Sequence, residues 1–200
     1  MIVIDVETTG VDPKKCSIVS IGAVDFENPS NTFYGECKID KNSEVTDKAL
    51  EVNGFTMEQI TDRSKPSVAE LLKMFFDWIK KIKNTTIACH NMWFDYSFIK
   101  EASEKFSLQL PFFYRCVDLH SLAYSFFMKN NLEIPIKNSS SHLTSEIIFN
   151  YVGLGSEPNP HNALTGAKMA AESISRLIHG KILLEEFKSC KIPKDLTAHL

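Results

Sequence analysis

Apolar positions open the chain without a polar break. Met1-Ile2-Val3-Ile4 runs into Asp5-Val6-Glu7 and then the small-residue stretch Thr8-Thr9-Gly10, which predicts a buried strand ending in charge. Ser17–Phe26 alternates loosely as a second strand, and Thr32–Ile39 reads as a third beyond the turn-rich residues 27–31. The short polar loop between them predicts an antiparallel hairpin beside the first strand, and so a mixed sheet. Residues 40–65 are polar, with Asn53-Gly54-Phe55-Thr56 in their midst; they predict short helices and loops. Val68, Leu71, Leu72, Phe75, Phe76, Ile79 and Ile82 then recur at helical spacing. They predict an amphipathic helix from Ser67 to Lys83, with Lys80, Lys81 and Lys83 in a solvated last turn that suits the helix dipole.

Strand and helix signals alternate from there on. Thr85–Cys89 is short and β-leaning, and Phe94, Phe98 and Ile99 take up helical spacing after it, so Asp95 falls in the first turns of a helix that follows a strand. Phe113–Asp118 reads as a strand, Leu119–Met128 as a helix, Asn130–Ser141 as a loop holding Pro135, and His142–Tyr151 as a helix stopped by Gly153 and Gly155. Pro158-Asn159-Pro160-His161 leads into a long last helix with Asn162 as N-cap and Ala163, Ala167, Ala170, Ile174 and Leu177 on its packed side. The pattern predicts an α/β, three-layer domain over residues 1–182, with a mixed sheet of about five strands. Residues 183–200 form a loose C-terminal tail or an appended helix. Ligands in such folds collect at the carboxyl ends of the strands, where Asp5, Glu7 and Asp95 fall.

Composition narrows the partners. The chain has 200 residues, 44% of them apolar, and carries 14 Phe, enough for a substantial core. A formal charge of −3 argues against coating long duplex nucleic acid through net charge, though not against gripping one chain end through metal ions. Cys16, Cys37, Cys89, Cys116 and Cys190 are odd in number and show no Cys-x-x-Cys spacing, which predicts reduced core thiols. With no apolar run of spanning length and no leader pattern, the expectation is no membrane and a cytoplasmic address, or a nuclear one in a eukaryote.

Chemistry enters with the two acids of the first strand. The strand period of two puts Asp5 and Glu7 on one face, and two carboxylates sharing a half-buried place raise one another's pKa unless they share a cation. A hard ion such as Mg²⁺ or Mn²⁺ suits carboxylate oxygens. The plainer alternative has Asp5 capping a turn and Glu7 solvated.

Three motifs together resemble the DnaQ-like 3′→5′ exonucleases of the RNase H-like superfamily, in the branch marked by four acids and a histidine (DEDDh). They are Asp5-Val6-Glu7-Thr8-Thr9-Gly10, His90-Asn91-Met92-Trp93-Phe94-Asp95 and His161-Asn162-Ala163-Leu164-Thr165-Gly166-Ala167, spread over residues 1–178. The third departs from the family: its fourth aspartate is replaced by Gly166. Close helix packing and a missing metal ligand are the two accounts of that glycine. Glu172 points away from the position, being six residues further along a helix of 3.6 residues per turn.

The resemblance implies an RNase H-like exonuclease fold and hydrolysis of terminal phosphodiester bonds in single-stranded DNA or RNA, releasing nucleoside monophosphates. It implies two Mg²⁺ or Mn²⁺ ions on Asp5, Glu7 and Asp95, and His161 as general base. It also implies that the backbone at Thr8 and Thr9 meets the terminal sugar. Phe94 or Trp93 either stacks on bases or packs in the core, and Asn91 either touches substrate or caps its helix. A proofreading or trimming role implies a polymerase or other protein partner. Gly166 implies impaired activity; the competing reading is an inactive member that binds nucleic-acid ends or a protein.

Overall fold

Strand alternation along β1 (Ile2–Thr8) decides the layering. In the computed structural model, which describes residues 1–197, Ile2, Ile4 and Val6 enter one apolar cluster and Val3 enters the other. Asp5 and Glu7 therefore share the face of Val3. β2 (Ile18–Asp25) lies antiparallel to β1 with Asp5 opposite Gly22, and β3 (Thr32–Glu36) lies antiparallel to β2. On the other side β4 (Ile87–Cys89) runs parallel to β1, and β5 (Cys116–Asp118) parallel to β4. The order β3-β2-β1-β4-β5 is the expected five-stranded mixed sheet. The short lengths of β4 and β5 place His90 and Asp118 at the same end as Glu7.

Helices cover both faces. α1 (Asp47–Asn53) and α2 (Met57–Thr61) fill the polar stretch after β3. α3 (Val68–Ile79) starts at a Ser67–Glu70 capping box and buries Val68, Leu71, Leu72, Phe75, Phe76 and Ile79, the apolar stripe that the sequence spacing predicts. It ends short of Lys83 because the amides of Lys81 and Ile82 turn back to carbonyls three residues earlier. With α4 (Met92–Lys105) it covers the face of Ile2, Ile4 and Val6. α5 (Leu119–Lys129), α6 (Ser145–Tyr151) and α7 (Ala163–His179) cover the face of Val3. Three layers result, as the sequence pattern predicts.

Three local expectations change. The loop over residues 130–141 contains a small hairpin, β6 (Ile136–Lys137) with β7 (Ser140–Ser141). Its two turn residues, Asn138 and Ser139, both hold positive φ (51° and 61°), the turn that matches strand twist in a two-residue hairpin; Ile136 and Lys137 give no apolar alternation to announce it. α6 starts at Ser145 rather than His142, since the Thr144 side chain caps it by accepting from the Ile147 amide. The segment after Gly180 is not loose over its described part. Glu172 and Arg176, both fully buried on α7, pair at 2.7 Å; Glu172 accepts from the amides of Leu183 and Leu184, and Arg176 donates to the carbonyls of Val152, Phe187 and Cys190. A short 3₁₀ turn (Glu185–Phe187) and α8 (Lys194–Thr197) follow, with Leu196 buried against the body.

All five cysteines are free; Cys37 and Cys89 are core thiols as expected, whereas Cys116 is exposed. Among the described residues no helix is long and apolar enough to cross a membrane.

Candidate active site

β1 delivers two acids, and α4 a third. Asp95 lies in the first turn of α4, fully buried, and its Oδ1 accepts from the Val6 amide at 3.0 Å, which pins the helix to the end of β1. Asp5, Asp95 and Glu7 are near enough to act on one another electrostatically. Burial first, then the charges of Asp95, Glu7 and Glu157, hold the Asp5 carboxyl well above the usual carboxylate range. Burial and the charges of Glu157 and Asp95 push Glu7 up to about 8. Burial pushes Asp95 up to about 7, although the Cys89 thiol and the Val6 amide both favour its ionised form.

His161 reaches the same place from the far side. The Asn162 side chain caps α7 by accepting from the amides of Leu164 and Thr165, as predicted, and the His161 amide donates to the Val52 carbonyl at 2.9 Å. Asn53, next along α1, donates through its side chain to the Thr8 carbonyl at 3.0 Å. One helical turn thus ties the end of β1 to the histidine loop. Gly22 allows the last approach: a Cβ there would stand 2.2 Å from the Ala163 carbonyl carbon and oxygen and from the Leu164 nitrogen. Since Gly22 is the cross-strand partner of Asp5, the start of α7 is pressed against the sheet beside the acids.

The structure adds an acid that no motif marks. Glu157, on the loop between α6 and α7, places Oε2 3.7 Å from His161 Nδ1, and one donor atom each of Glu7, Glu157 and His161 lie within 4.8 Å of one another. Its Oε1 is buried and has no hydrogen-bond partner. Burial raises its pKa, and His161 opposes the rise. The signal available in the sequence was thin: Glu157 is the only acid between Glu146 and Glu172. An oxygen-rich set of carboxylates with a buried, unpartnered oxygen suits a hard divalent cation, so the residues present fit the ions that the resemblance implies.

Beside Asp5, Asp95 and Glu157 runs a cleft of about 190 Å³, lined also by Asn91, Phe94 and Gly166 among others. A larger groove of about 430 Å³, between residues 13–18, 40–44 and 98–106, shares no lining residue with it. The expected substrate residues divide. Thr9 is fully buried and committed: its hydroxyl donates to the Glu44 carbonyl and accepts the Ser17 amide, its own amide donates to the Ser17 carbonyl, and its carbonyl accepts from Thr46. No polar group of Thr9 is left for a sugar. Thr8 sits at the strand end with its hydroxyl on the Gly10 carbonyl. Asn91 is exposed at φ 56° and makes no cap bond, so capping does not explain it. Phe94 packs on Phe98, ring centroids 5.0 Å apart, and lines the cleft as well. Trp93 is 79% exposed and is no part of the core.

Comparison with known proteins bears on family and fold. The exonuclease family RNase_T matches residues 2–173. A PolC-type DNA polymerase III of Thermotoga petrophila is 29% identical over 202 residues, covering 98% of this chain but 14% of its own length. The chain thus spans about a seventh of such relatives. A DNA polymerase III epsilon subunit of Buchnera aphidicola subsp. Schizaphis graminum is 31% identical over 74% of this chain and 68% of its own. In fold, the nuclease domain of 3′hExo, a DEDDh family member crystallised with rAMP, superposes with a TM-score of 0.71 at 19% identity, over 92% of this chain and 94% of that one. Exonuclease I superposes with a TM-score of 0.71 at 15% identity, over 98% of this chain and 42% of its own.

Proposed function

We propose that this chain, which belongs to the exonuclease family RNase_T, removes nucleoside monophosphates stepwise from the 3′ end of single-stranded DNA or RNA. The observation that carries the reading is the convergence of Asp5, Glu7 and Asp95 with His161 at the carboxyl end of β1. Asp5, Glu7 and Asp95 hold divalent ions, Mg²⁺ or Mn²⁺ and two in number. Such ions, when bound, supply charge stabilisation to the reacting phosphate and lower the pKa of a bound water. The protein's own part is to bind and orient. Nδ1 of His161 faces Glu157, so Nε2 is the nitrogen left to take the proton of the attacking water. The backbone at Thr8, with Asn91 and Phe94, meets the terminal nucleotide in the cleft, and Trp93 offers an exposed stacking face to the strand that follows.

Relatives named as polymerases and as a polymerase subunit support a proofreading role beside a polymerase. Five free thiols support a reducing compartment, cytoplasmic or nuclear. The competing reading, an inactive member that binds strand ends or a protein, draws on Gly166.

The test is an end-labelled single strand incubated with Mg²⁺ or Mn²⁺. A ladder of products shortening from the 3′ end, stopped by chelator and absent in Asp5→Asn, is the expected result. Strand binding without trimming under either ion would favour the inactive member.

A further inference from the structure

The third motif lacks its aspartate, yet the site does not lack a fourth carboxylate. Gly166 follows His161 by five residues, and a Cβ built there would stand 2.2 Å from Asp5 Oδ2, 2.9 Å from Asp5 Cγ and 3.4 Å from Glu157 Oε1. Two things follow from those distances. No side chain leaves α7 at this point unless the Asp5 carboxylate moves, and the space just beyond is already filled by the tip of Glu157. That residue comes off the loop between α6 and α7.

Glu157 is built into the cluster rather than lying on the surface beside it. Its side chain is only 11% exposed, its Oε1 is buried without any donor, and its Oε2 faces Nδ1 of His161. A buried acceptor left unpaired is destabilising, the more so with other carboxylates beside it. Lys168, the one cation between His161 and Glu172 in the sequence, is engaged instead with Glu186 at 2.9 Å. Glu172 is occupied by Arg176 and by the amides of Leu183 and Leu184. Among the described residues no acid on α7 reaches the cleft, and no Lys or Arg pairs with Glu157, whose one ion-pair neighbour is the His161 ring.

We propose that Glu157 is the fourth carboxylate of the ion site, supplied by the loop before His161, and that Gly166 is glycine because Asp5 and Glu157 occupy the volume an aspartate would need. This assignment rests on the exonuclease reading above. It changes one expectation of that reading: the chain is not short of a ligand, and Gly166 does not weaken ion binding. The acid has moved from the helix to the loop, and the added methylene of glutamate gives the loop residue its reach.

The test reads ion binding directly. Mn²⁺ is titrated against the protein alone, bound and free ion being distinguished by electron paramagnetic resonance, for the wild type, Glu157→Gln, Gly166→Asp and the double variant; circular dichroism checks that each is folded. Glu157→Gln is expected to weaken Mn²⁺ binding by at least ~10–100-fold. Gly166→Asp alone gives no tighter binding than wild type, because its place is taken. In the double variant the amide fills the volume the carboxylate held and Asp5 is unmoved, so Gly166→Asp recovers little of the affinity that Glu157→Gln loses, and recovery to the wild-type value would overturn the steric part of the assignment. The assignment is overturned if Glu157→Gln binds Mn²⁺ as the wild type does, including the case in which only the pH profile of trimming shifts, which would make Glu157 a positioning residue for His161. It is overturned equally if Gly166→Asp alone tightens Mn²⁺ binding tenfold. A wild type that neither binds Mn²⁺ nor trims, and is indistinguishable from Asp5→Asn, overturns the exonuclease reading as well.

Discussion

Raising the pH should destabilise this protein in the absence of divalent ions, and an ion should cancel the effect. Burial and neighbouring acids lift Glu7 from 4.5 to about 8, and lift Asp5 and Asp95 in the same direction. An acid with a higher pKa folded than unfolded holds its proton more tightly in the folded state. Its stabilising contribution is whole below the unfolded value, 4.5 for Glu7, and is lost as the pH rises through about 8. His90 has the opposite sign. Burial lowers its pKa below 6.5, so its contribution is present above 6.5 and lost as the pH falls through the lowered value. The window from pH 6.5 to 8 isolates the acids. Across most of it Glu7 stays protonated in the folded chain and ionised in the unfolded one, the difference closing as the pH reaches about 8. Each pH unit is worth 1.36 kcal/mol, so the window removes roughly 2 kcal/mol. For a chain of this size that is a fall in Tm of about 4–8 °C. The assay is thermal melting in chelator across the window, repeated with millimolar Mg²⁺ and with Glu7→Gln. Mg²⁺ is expected to level or reverse the slope, because the ion takes the place of the protons. Since the acids titrate as a group, Glu7→Gln reduces the slope without erasing it. A Tm in chelator that is flat or rises from pH 6.5 to 8 would refute the reasoning.

Three further outcomes follow from single contacts. Gly22→Ala pushes a Cβ to 2.2 Å from the α7 backbone at Ala163 and Leu164; overpacking of this kind costs about 1–3 kcal/mol, and because the start of α7 carries the His161 loop, kcat for trimming should fall while Mn²⁺ affinity changes little. Equal losses in both would count against the helix start as the origin. Arg176→Met leaves Glu172 buried without its partner, a loss of about 3–5 kcal/mol, visible as a Tm lower by roughly 6–20 °C; a drop below 2 °C would mean that the tail is not held by this pair. Trp93→Ala should leave Tm unchanged, the side chain being 79% exposed, and should weaken single-strand binding by about 5- to 150-fold if the ring stacks on a base; unchanged affinity, measured by titration of a labelled strand, removes Trp93 from the substrate path.

What the sequence made legible follows from periodicity. The odd and even positions of β1 separated the acids from the apolar residues that face α3 and α4, and helical spacing placed α3 and the packed side of α7. Spacing also put Asp95 and His161 at the ends of elements, where their backbone positions are set by the strand and cap beside them. Glu157 has no such handle. It sits on an irregular loop, and only the tertiary path of residues 153–160 brings it to Glu7. Thr9 shows a related limit of local reading. Its neighbours in sequence suggested a substrate loop, whereas Ser17, Glu44 and Thr46, all distant along the chain, use up its polar atoms.

The two glycines that face this site share one cause. Gly22 on β2 meets Ala163, and Gly166, one helical turn further along α7, meets Asp5, the cross-strand partner of Gly22. A helix that lies this close over β1 and β2 has no room for a Cβ at either of these two positions. The close approach brings the His161 loop to the acids without a long side chain to span the gap, but it closes the route by which a carboxylate could descend from position 166. An acid must then come from beside the helix rather than from it, and Glu157 is the one described residue placed to do so. Gly166, read in isolation, suggests a damaged site; together with Gly22 and Glu157 it describes a site packed more closely and completed from the loop.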